Sequence, residues 1–173
     1  MTALRIVPPR TADLDALLAF ELENRAFFES HINARPAGYY SADGVGTAIE
    51  LAQREAQDDQ AYQYLVWDAG VLVGRVNLNK VRRAHFYSAE LGYRIAQSAG
   101  GRGLASEAVR QALAKAFDEH GLVRVEATAR AENEGSTRVL LKNGFTLFGR
   151  STRSFELAGT WYDLLHYERR AEA

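Results

Sequence analysis

The chain has 173 residues, 47% of them hydrophobic and 25% charged, which is typical of an ordinary soluble globular protein with a single domain over residues 1–173. The net charge of −1 gives no basic field for nucleic acid, and no apolar stretch approaches the length of about 18 residues that a membrane span needs. The absence of cysteine excludes disulfides and a cysteine nucleophile, and four histidines without ligand spacing indicate that no metal is bound.

The N-terminal part predicts a strand, two helices and a long connection between them. Residues 4–7 form a short strand that Pro8 and Pro9 end, and the polar residues here lack the apolar core of a signal peptide, so we expect a cytoplasmic protein. Thr11 can cap the first helix, whose leucines recur at helical spacing. Residues 24–43 lose this periodicity and form either a substrate-lining loop or a mobile connection before a helix over 43–57.

Alternating segments then predict three strands joined by short turns, over residues 62–68, 71–81 and 86–95. Short turns make neighbouring strands antiparallel. The third strand runs into a glycine-rich turn.

This glycine loop, residues 100–106, is followed by a helical pattern over 104–119. A strand, a glycine turn and a helix form an anion site, because the first N–H groups of a helix lack partners and its dipole is positive there. A phosphate or pyrophosphate is the expected occupant. A Walker A loop is excluded because Leu104 and Ala105 follow Gly103, and Ser106 stands where a dinucleotide fingerprint needs glycine.

The C-terminal part predicts a strand over 123–129, a helix over 134–142 with Asn133 as its cap, and two strands over 145–155 and 160–168. The order is β-α-α-β-β-β-α-β-α-β-β. We therefore expect an α/β (α+β) fold with a mixed, mostly antiparallel sheet and helices on both faces.

Five segments together resemble the GNAT superfamily of acyl-CoA-dependent N-acyltransferases: residues 91–95, 100–108, 133–136, 141–145 and 159–163. The chain is most similar to the RimJ/RimL type, which acetylates ribosomal-protein N-termini. This resemblance implies the GNAT fold over nearly the whole chain and acetyl-CoA as cosubstrate.

The resemblance also implies which residues bind CoA. The family's loop begins with Gln or Arg, so Gly100 departs from the pattern, while Gly103 and Ala105 match it. Asn133 would bond the pantetheine arm and Ser136 would approach the thiol. Backbone groups would hold the rest of the molecule: the pantetheine arm at Ile95, Ala96 and Gln97, and the pyrophosphate at Gly101, Arg102, Gly103, Leu104 and Ala105.

The transfer reaction needs a proton donor and a base beside the CoA site. Many relatives have a tyrosine as general acid at the position of Leu140, and in the RimL-like group the serine at the position of Ser136 is the proposed replacement. The alternative is that Ser136 has no catalytic role and that Asn133 is only an ordinary N-cap of the helix. For the base we favour Glu90, directly or through water, over an ion-paired strand carboxylate and over His85 as a weaker candidate.

Four residues are expected to line the acceptor pocket, with a structural role as the alternative for each: Tyr39, Tyr40, Tyr162 and Asp163. The leading hypothesis is direct attack by a protein's N-terminal α-amine on acetyl-CoA in a ternary complex. Two alternatives stay open: an acetyltransferase of a small amine, such as an antibiotic, polyamine or amino acid, and a non-catalytic CoA-binding module. Relatives of this group are often dimers, so a homodimer is one expected assembly, with no nucleic acid or membrane as partner.

Overall fold

The computed structural model describes residues 4–172. None of the helices in this range is long and apolar enough to cross a membrane. The elements in chain order are β1 (Arg5–Val7), α1 (Leu14–Glu23), α2 (Arg25–Glu29), α3 (Ala42–Gln57), β2 (Tyr62–Asp68), β3 (Val71–Arg82), β4 (Ser88–Ile95), α4 (Leu104–Ala114), β5 (Arg124–Arg130), α5 (Glu134–Lys142), β6 (Thr146–Leu157) and β7 (Thr160–Arg170).

Within residues 4–172, seven strands form one sheet in the order β1-β2-β3-β4-β5-β7-β6. All neighbouring strands are antiparallel except β4 and β5, which are parallel and joined through α4. This confirms the predicted mixed, mostly antiparallel sheet. In the described strands, β4 and β5 pair at three positions, from Ser88 opposite Arg124 to Glu90 opposite Glu126, and then separate.

Helices cover both faces of the sheet, and strand alternation shows which helix lies on which face. Arg75 of β3 hydrogen-bonds Glu21 of α1, so α1 lies on the face to which Arg75 points. Tyr93 of β4 points to the opposite face and contacts Ser136 of α5. Because α5 packs against α4, both C-terminal helices lie on that second face.

The core on the second face comes from one side of α4. Ala108, Val109 and Ala112 are completely buried, and α4 packs on β1, β3 and β4. This spacing of three and four residues is the apolar stripe that the sequence predicts. It fixes α4, and with it the glycine loop, against the end of β4.

Three local expectations differ from the structure. Thr11 begins a 3-10 turn and caps no α-helix; Asp13 accepts the backbone N–H of Arg10 at 2.8 Å instead. The aromatic segment after Asn24 contains the short helix α2, which its sequence did not predict. The helix predicted to reach residue 119 changes at Lys115 into a single π-helical turn, which brings the chain to Gly121.

Candidate active site

A cavity of about 670 Å³ opens where β4 and β5 separate. Its walls come from α2, β3, β4, β5, α5 and the glycine loop. Beyond Glu90, the edge of β4 that faces β5 no longer belongs to a ladder. Where the pairing of two parallel strands is interrupted in this way, their backbone groups are left without partners in the sheet, and an extended ligand can reach them.

The glycine loop forms one end of this cavity. Gly101 and Gly103 both have φ of +75°, in the left-handed region, and Gly103 caps the N-terminus of α4. A Cβ built at either glycine would meet no atom within 4 Å, so the surface above the loop is open. The Arg102 guanidinium bonds Asp68 at 2.8 Å, which leaves the amides of this turn and of Leu104 and Ala105 as its anion-facing groups.

The segment between β4 and the loop makes several internal bonds. Ala96 N donates to Val73 O at 2.8 Å, and Gln97 N donates to Asn24 Oδ1 at 3.0 Å. The carbonyls of Ala96 and Gln97 each accept one bond from the turn that follows. Each carbonyl keeps a second lone pair, and Ile95, Ala96 and Gln97 all border the cavity.

The start of α5 forms the opposite wall. Asn133 Oδ1 accepts the Ser136 backbone N–H at 3.0 Å, so Asn133 is the N-cap of α5 as its sequence position predicts. That bond uses only the side-chain oxygen of Asn133, so the two N–H groups of its side-chain amide remain available as donors. Ser136 Oγ lies 3.1 Å from the Tyr93 hydroxyl, and all three residues border the cavity.

The Tyr93 hydroxyl forms a polar pair with Ser136 that the sequence alone did not predict. Burial raises the pKa of Tyr93, while the hydrogen bond to Ser136 acts in the opposite direction. Tyr93 is therefore protonated at neutral pH and can donate to Ser136. Leu140, where many relatives have a tyrosine, is 1% exposed and borders the same cavity as an apolar residue.

The carboxylate predicted as base lies at the rim. Glu90 pairs with Lys80 at 3.0 Å, its side chain is 47% exposed, and it stands outside the cavity lining. It shares a strand face with Asn79 and Gly92, which do border the cavity. His85 lies in the turn before β4 with φ of +69°. The structure thus brings Ser136, but not Glu90, to the centre of the site.

The four residues predicted for the acceptor pocket are spread around it. The Tyr39 hydroxyl accepts from Arg75 at 3.0 Å, and the Tyr40 ring lies 4.0 Å from the Arg25 guanidinium. Tyr162 stacks under Arg130, which borders the cavity. Asp163 accepts the Arg153 backbone N–H at 2.8 Å. This bond and a second hydrogen bond from the Arg150 side chain lower the pKa of Asp163. None of these four is part of the cavity lining among the described residues.

A charged group on the α1 face was missed by sequence reasoning. We name it the arginine cluster: Glu21, Arg35, Arg75 and Arg94. Glu21 is 1% exposed and its Oε1 accepts from Arg75 Nη1 at 2.7 Å. Arg35 approaches the same oxygen at 3.5 Å, and Arg94 lies 3.7 Å from Glu21 Oε2. Burial is the main cause that lowers the pKa of Arg94 to about 10, and repulsion from the Arg35 charge is the second.

A family model described as "Acetyltransferase (GNAT) domain" matches residues 3–146. The chain is 33% identical over 158 residues to the probable N-acetyltransferase YjcK of Bacillus subtilis, covering 90% of this chain and 87% of that protein. It is 25% identical over 167 residues to the ribosomal protein uS5-alanine N-acetyltransferase of Escherichia coli, covering 94% and 86%.

Solved structures give the same result for the fold. Mycobacterium smegmatis RimJ in complex with CoA-disulfide superposes with a TM-score of 0.89 at 26% identity, covering 97% of this chain and 82% of that one. The resemblance to the RimJ/RimL type is thereby confirmed. The open loop at the α4 N-terminus, the gap between β4 and β5 and the matching family model agree, so the chain belongs to the GNAT family of N-acetyltransferases and is an acyltransferase.

Proposed function

We propose that the protein transfers acetyl from acetyl-CoA to the N-terminal α-amine of a protein, with a ribosomal protein as the leading acceptor. One observation carries this proposal: a single cavity connects the glycine loop, the gap between the parallel strands and the Tyr93–Ser136 hydroxyl pair. The named relatives that acetylate ribosomal proteins support the acceptor class.

The residues around the cavity suit CoA. The amides of residues 101–105 would hold the pyrophosphate at the positive end of α4. Free lone pairs at Ala96 and Gln97, and the spare amide donors of Asn133, would hold the pantetheine arm. Gly100 provides no side-chain contact, so this binding depends on backbone groups. Acetyl-CoA supplies an acetyl group that its thioester already activates.

Ser136 and Tyr93 would act as the proton donors for the leaving sulfur. Tyr93 keeps its proton at neutral pH and lies within hydrogen-bond distance of Ser136 Oγ, so a proton given up by Ser136 can be replaced from Tyr93. General acid catalysis of this kind contributes about 100-fold or more to a rate. The pair lies at the split in the sheet, where the thioester end of the cosubstrate would be.

The amine must lose its proton before it attacks. An α-amine has a pKa of ~7.7–8.0 and a lysine side chain one of ~10.4, so the α-amine costs about 3.5 kcal/mol less to deprotonate at neutral pH. Glu90 would serve as base through a water molecule, because its carboxylate lies at the rim beside Asn79. Because an α-amine is deprotonated at little cost near neutral pH, a base that acts from the rim through water is sufficient.

The test is a thiol-release assay with acetyl-CoA and a panel of short peptides, followed by mass spectrometry to locate the acetyl group. We expect acetylation of the α-amine, and no reaction when the same peptide has a formylated N-terminus. Transfer to lysine side chains alone, or turnover of small amines without turnover of any peptide, would contradict the proposed acceptor. The acceptor-free reaction measures background hydrolysis.

A further inference from the structure

The arginine cluster carries more positive charge than its acid neutralises. Within residues 4–172, three guanidinium groups surround the single carboxylate of Glu21, at 2.7, 3.5 and 3.7 Å. One arginine suffices to pair a buried glutamate, and each further cation that is partly removed from water, as Arg35 and Arg94 are, costs free energy unless an anion compensates it. The cluster therefore has an excess of two positive charges.

Several donors in this cluster have no partner. Arg75 is 6% exposed and its Nε makes no hydrogen bond within the described residues, and the same holds for the buried Nε of Arg35. Arg94 approaches Glu21 only at 3.7 Å, which is longer than a hydrogen bond, and its guanidinium lies 5.2 Å from the Phe28 ring. Unpaired buried donors are rare in proteins and indicate a missing acceptor.

The cluster borders the active-site cavity. Arg75 and Arg94 stand opposite each other in the register of β3 and β4, and both belong to the cavity lining. Tyr93, whose hydroxyl contacts Ser136, is the residue before Arg94 and borders the same cavity. An acceptor held at Arg94 therefore lies in the cavity that also contains the Tyr93–Ser136 pair.

Tyr93 and Arg94 point to opposite sides of the cavity, so these two sides differ in charge. Tyr93 points to the α5 face, where the CoA side of the proposed site lies, and Arg94 points to the α1 face. The excess charge therefore lies on the side that the acceptor would enter.

We propose that the acceptor carries an anionic group, a carboxylate or a phosphate, close to its reacting amine, and that Arg94, which borders the cavity, binds this anion beside the further positive charges of Arg35 and Arg75. This inference rests on the proposed function for the position of the amine. A peptide with an acidic residue at its second or third position satisfies it, as does a small amine that bears an acid group.

The first experiment compares matched acceptors in the thiol-release assay. Three hexapeptides with alanine first and either Glu, Gln or Lys at positions two and three keep the amine constant. Free glutamate and phosphoethanolamine represent small anionic amines, with glutamine α-amide and ethanolamine as their counterparts without an acid group. We expect kcat/KM for an anionic acceptor to exceed that of its neutral counterpart about tenfold, as a charge-assisted hydrogen bond predicts. Equal values, or a preference for the cationic acceptors, would overturn the inference while leaving an acetyltransferase in place.

Variants then assign the preference to the cluster. Arg94→Gln should raise KM for the preferred anionic acceptor about tenfold and reduce the ratio of kcat/KM between the anionic and the neutral acceptor. Arg94→Glu should favour the cationic acceptor. The matched control is Arg110→Gln, which removes the same charge from an exposed part of α4 where Arg110 pairs with Glu107. If the control lowers the preference as much as Arg94→Gln does, the effect comes from net charge and the inference fails.

A binding measurement keeps the inference testable if no acceptor is turned over, an outcome that would contradict the proposed function. With saturating CoA present to occupy the glycine loop, succinate should raise the melting temperature of the wild type above that in sodium chloride of equal ionic strength. Arg94→Gln should abolish this rise, and Arg110→Gln should keep it. Equal melting temperatures in succinate and chloride would overturn the anion site.

Discussion

The two ends of the cavity are built in different ways. The glycine loop consists of consecutive residues, 100–106, and presents mainly backbone N–H groups. The arginine cluster consists of four side chains from α1, the segment before α3, β3 and β4, up to 73 residues apart in the chain like Glu21 and Arg94. The first end depends on backbone conformation, in which Gly101 and Gly103 are left-handed. The second depends on a balance of buried charges that any single substitution changes.

The largest effect should come from the centre of the arginine cluster. Glu21→Gln removes the carboxylate that Arg75 donates to at 2.7 Å and leaves that cation buried without a counter-charge. We expect the free energy of unfolding to fall by about 3–5 kcal/mol, measured by urea denaturation. Glu50→Gln, at an exposed position of α3, is the control and should change it by less than about 0.5 kcal/mol. A loss for Glu21→Gln no larger than the control's would show that the cluster does not stabilise the fold.

The hydroxyl pair between the two ends comes next. Ser136→Ala removes the group that borders the cavity and contacts Tyr93 at 3.1 Å. We expect kcat to fall about 100-fold, with the Kd of acetyl-CoA nearly unchanged by calorimetry. Tyr93→Phe keeps Ser136 and should lower kcat less, because only the second donor is lost. A kcat equal to wild type in Ser136→Ala would remove this serine from the mechanism.

The backbone end should respond to conformation. Gly103 has φ of +75° with free space around its Cβ position, so a substitution there causes backbone strain and not a clash. Gly103→Val should weaken CoA binding about tenfold, since the left-handed region costs an L-residue about 1–2 kcal/mol or more when it is β-branched. Gly103→Asn is the matched control, because asparagine tolerates this region, and it should bind CoA nearly as wild type does. Equal weakening by both variants would indicate that side-chain volume matters instead.

The smallest effect is expected at the rim. Glu90→Gln should lower kcat only several-fold if the carboxylate acts through water on an α-amine. The loss of rate should grow as the pH falls below the α-amine pKa of ~8, because the amine is then harder to deprotonate. Lys80→Met removes the ion-pair partner at 3.0 Å and keeps the carboxylate, so it should leave the rate intact. A mutant-to-wild-type ratio that stays constant from pH 6 to pH 9 would exclude Glu90 as the base.

Most of the fold could be predicted from local patterns. Alternation located β2 and β3 to within a residue, and Asn133 with Gly144 located both ends of α5. The exceptions have a physical reason. Residues 25–29 form α2 because Phe28 packs into the core and contacts Phe20, which is a tertiary effect that helical periodicity over five residues cannot reveal.

The site could be predicted only where its residues are contiguous. The glycine turn and the Asn133 cap could be located because each lies at a helix terminus, whereas the roles of Asn133 and Ser136 toward CoA come from the family resemblance and stay predictions. The hydroxyl pair and the arginine cluster could not, because each needs strand register to bring distant residues together. A signal was nevertheless present: Arg75 and Arg94 are charges whose immediate neighbours in sequence are apolar or aromatic, and such residues need a buried partner.

The short junction between β4 and β5 has a mechanical consequence. Within the sheet, and among the residues that the structure describes, three ladder pairs join the first four strands to the last three, while α4 and α5 pack across the junction. A molecule seated in the gap touches both portions and restrains their relative movement, and at 100 times its Kd it adds about 2.7 kcal/mol to the folded state. Amide hydrogen exchange should therefore slow along both rims of the gap when CoA binds, and remain unchanged in the distant hairpin turn at residues 157–160.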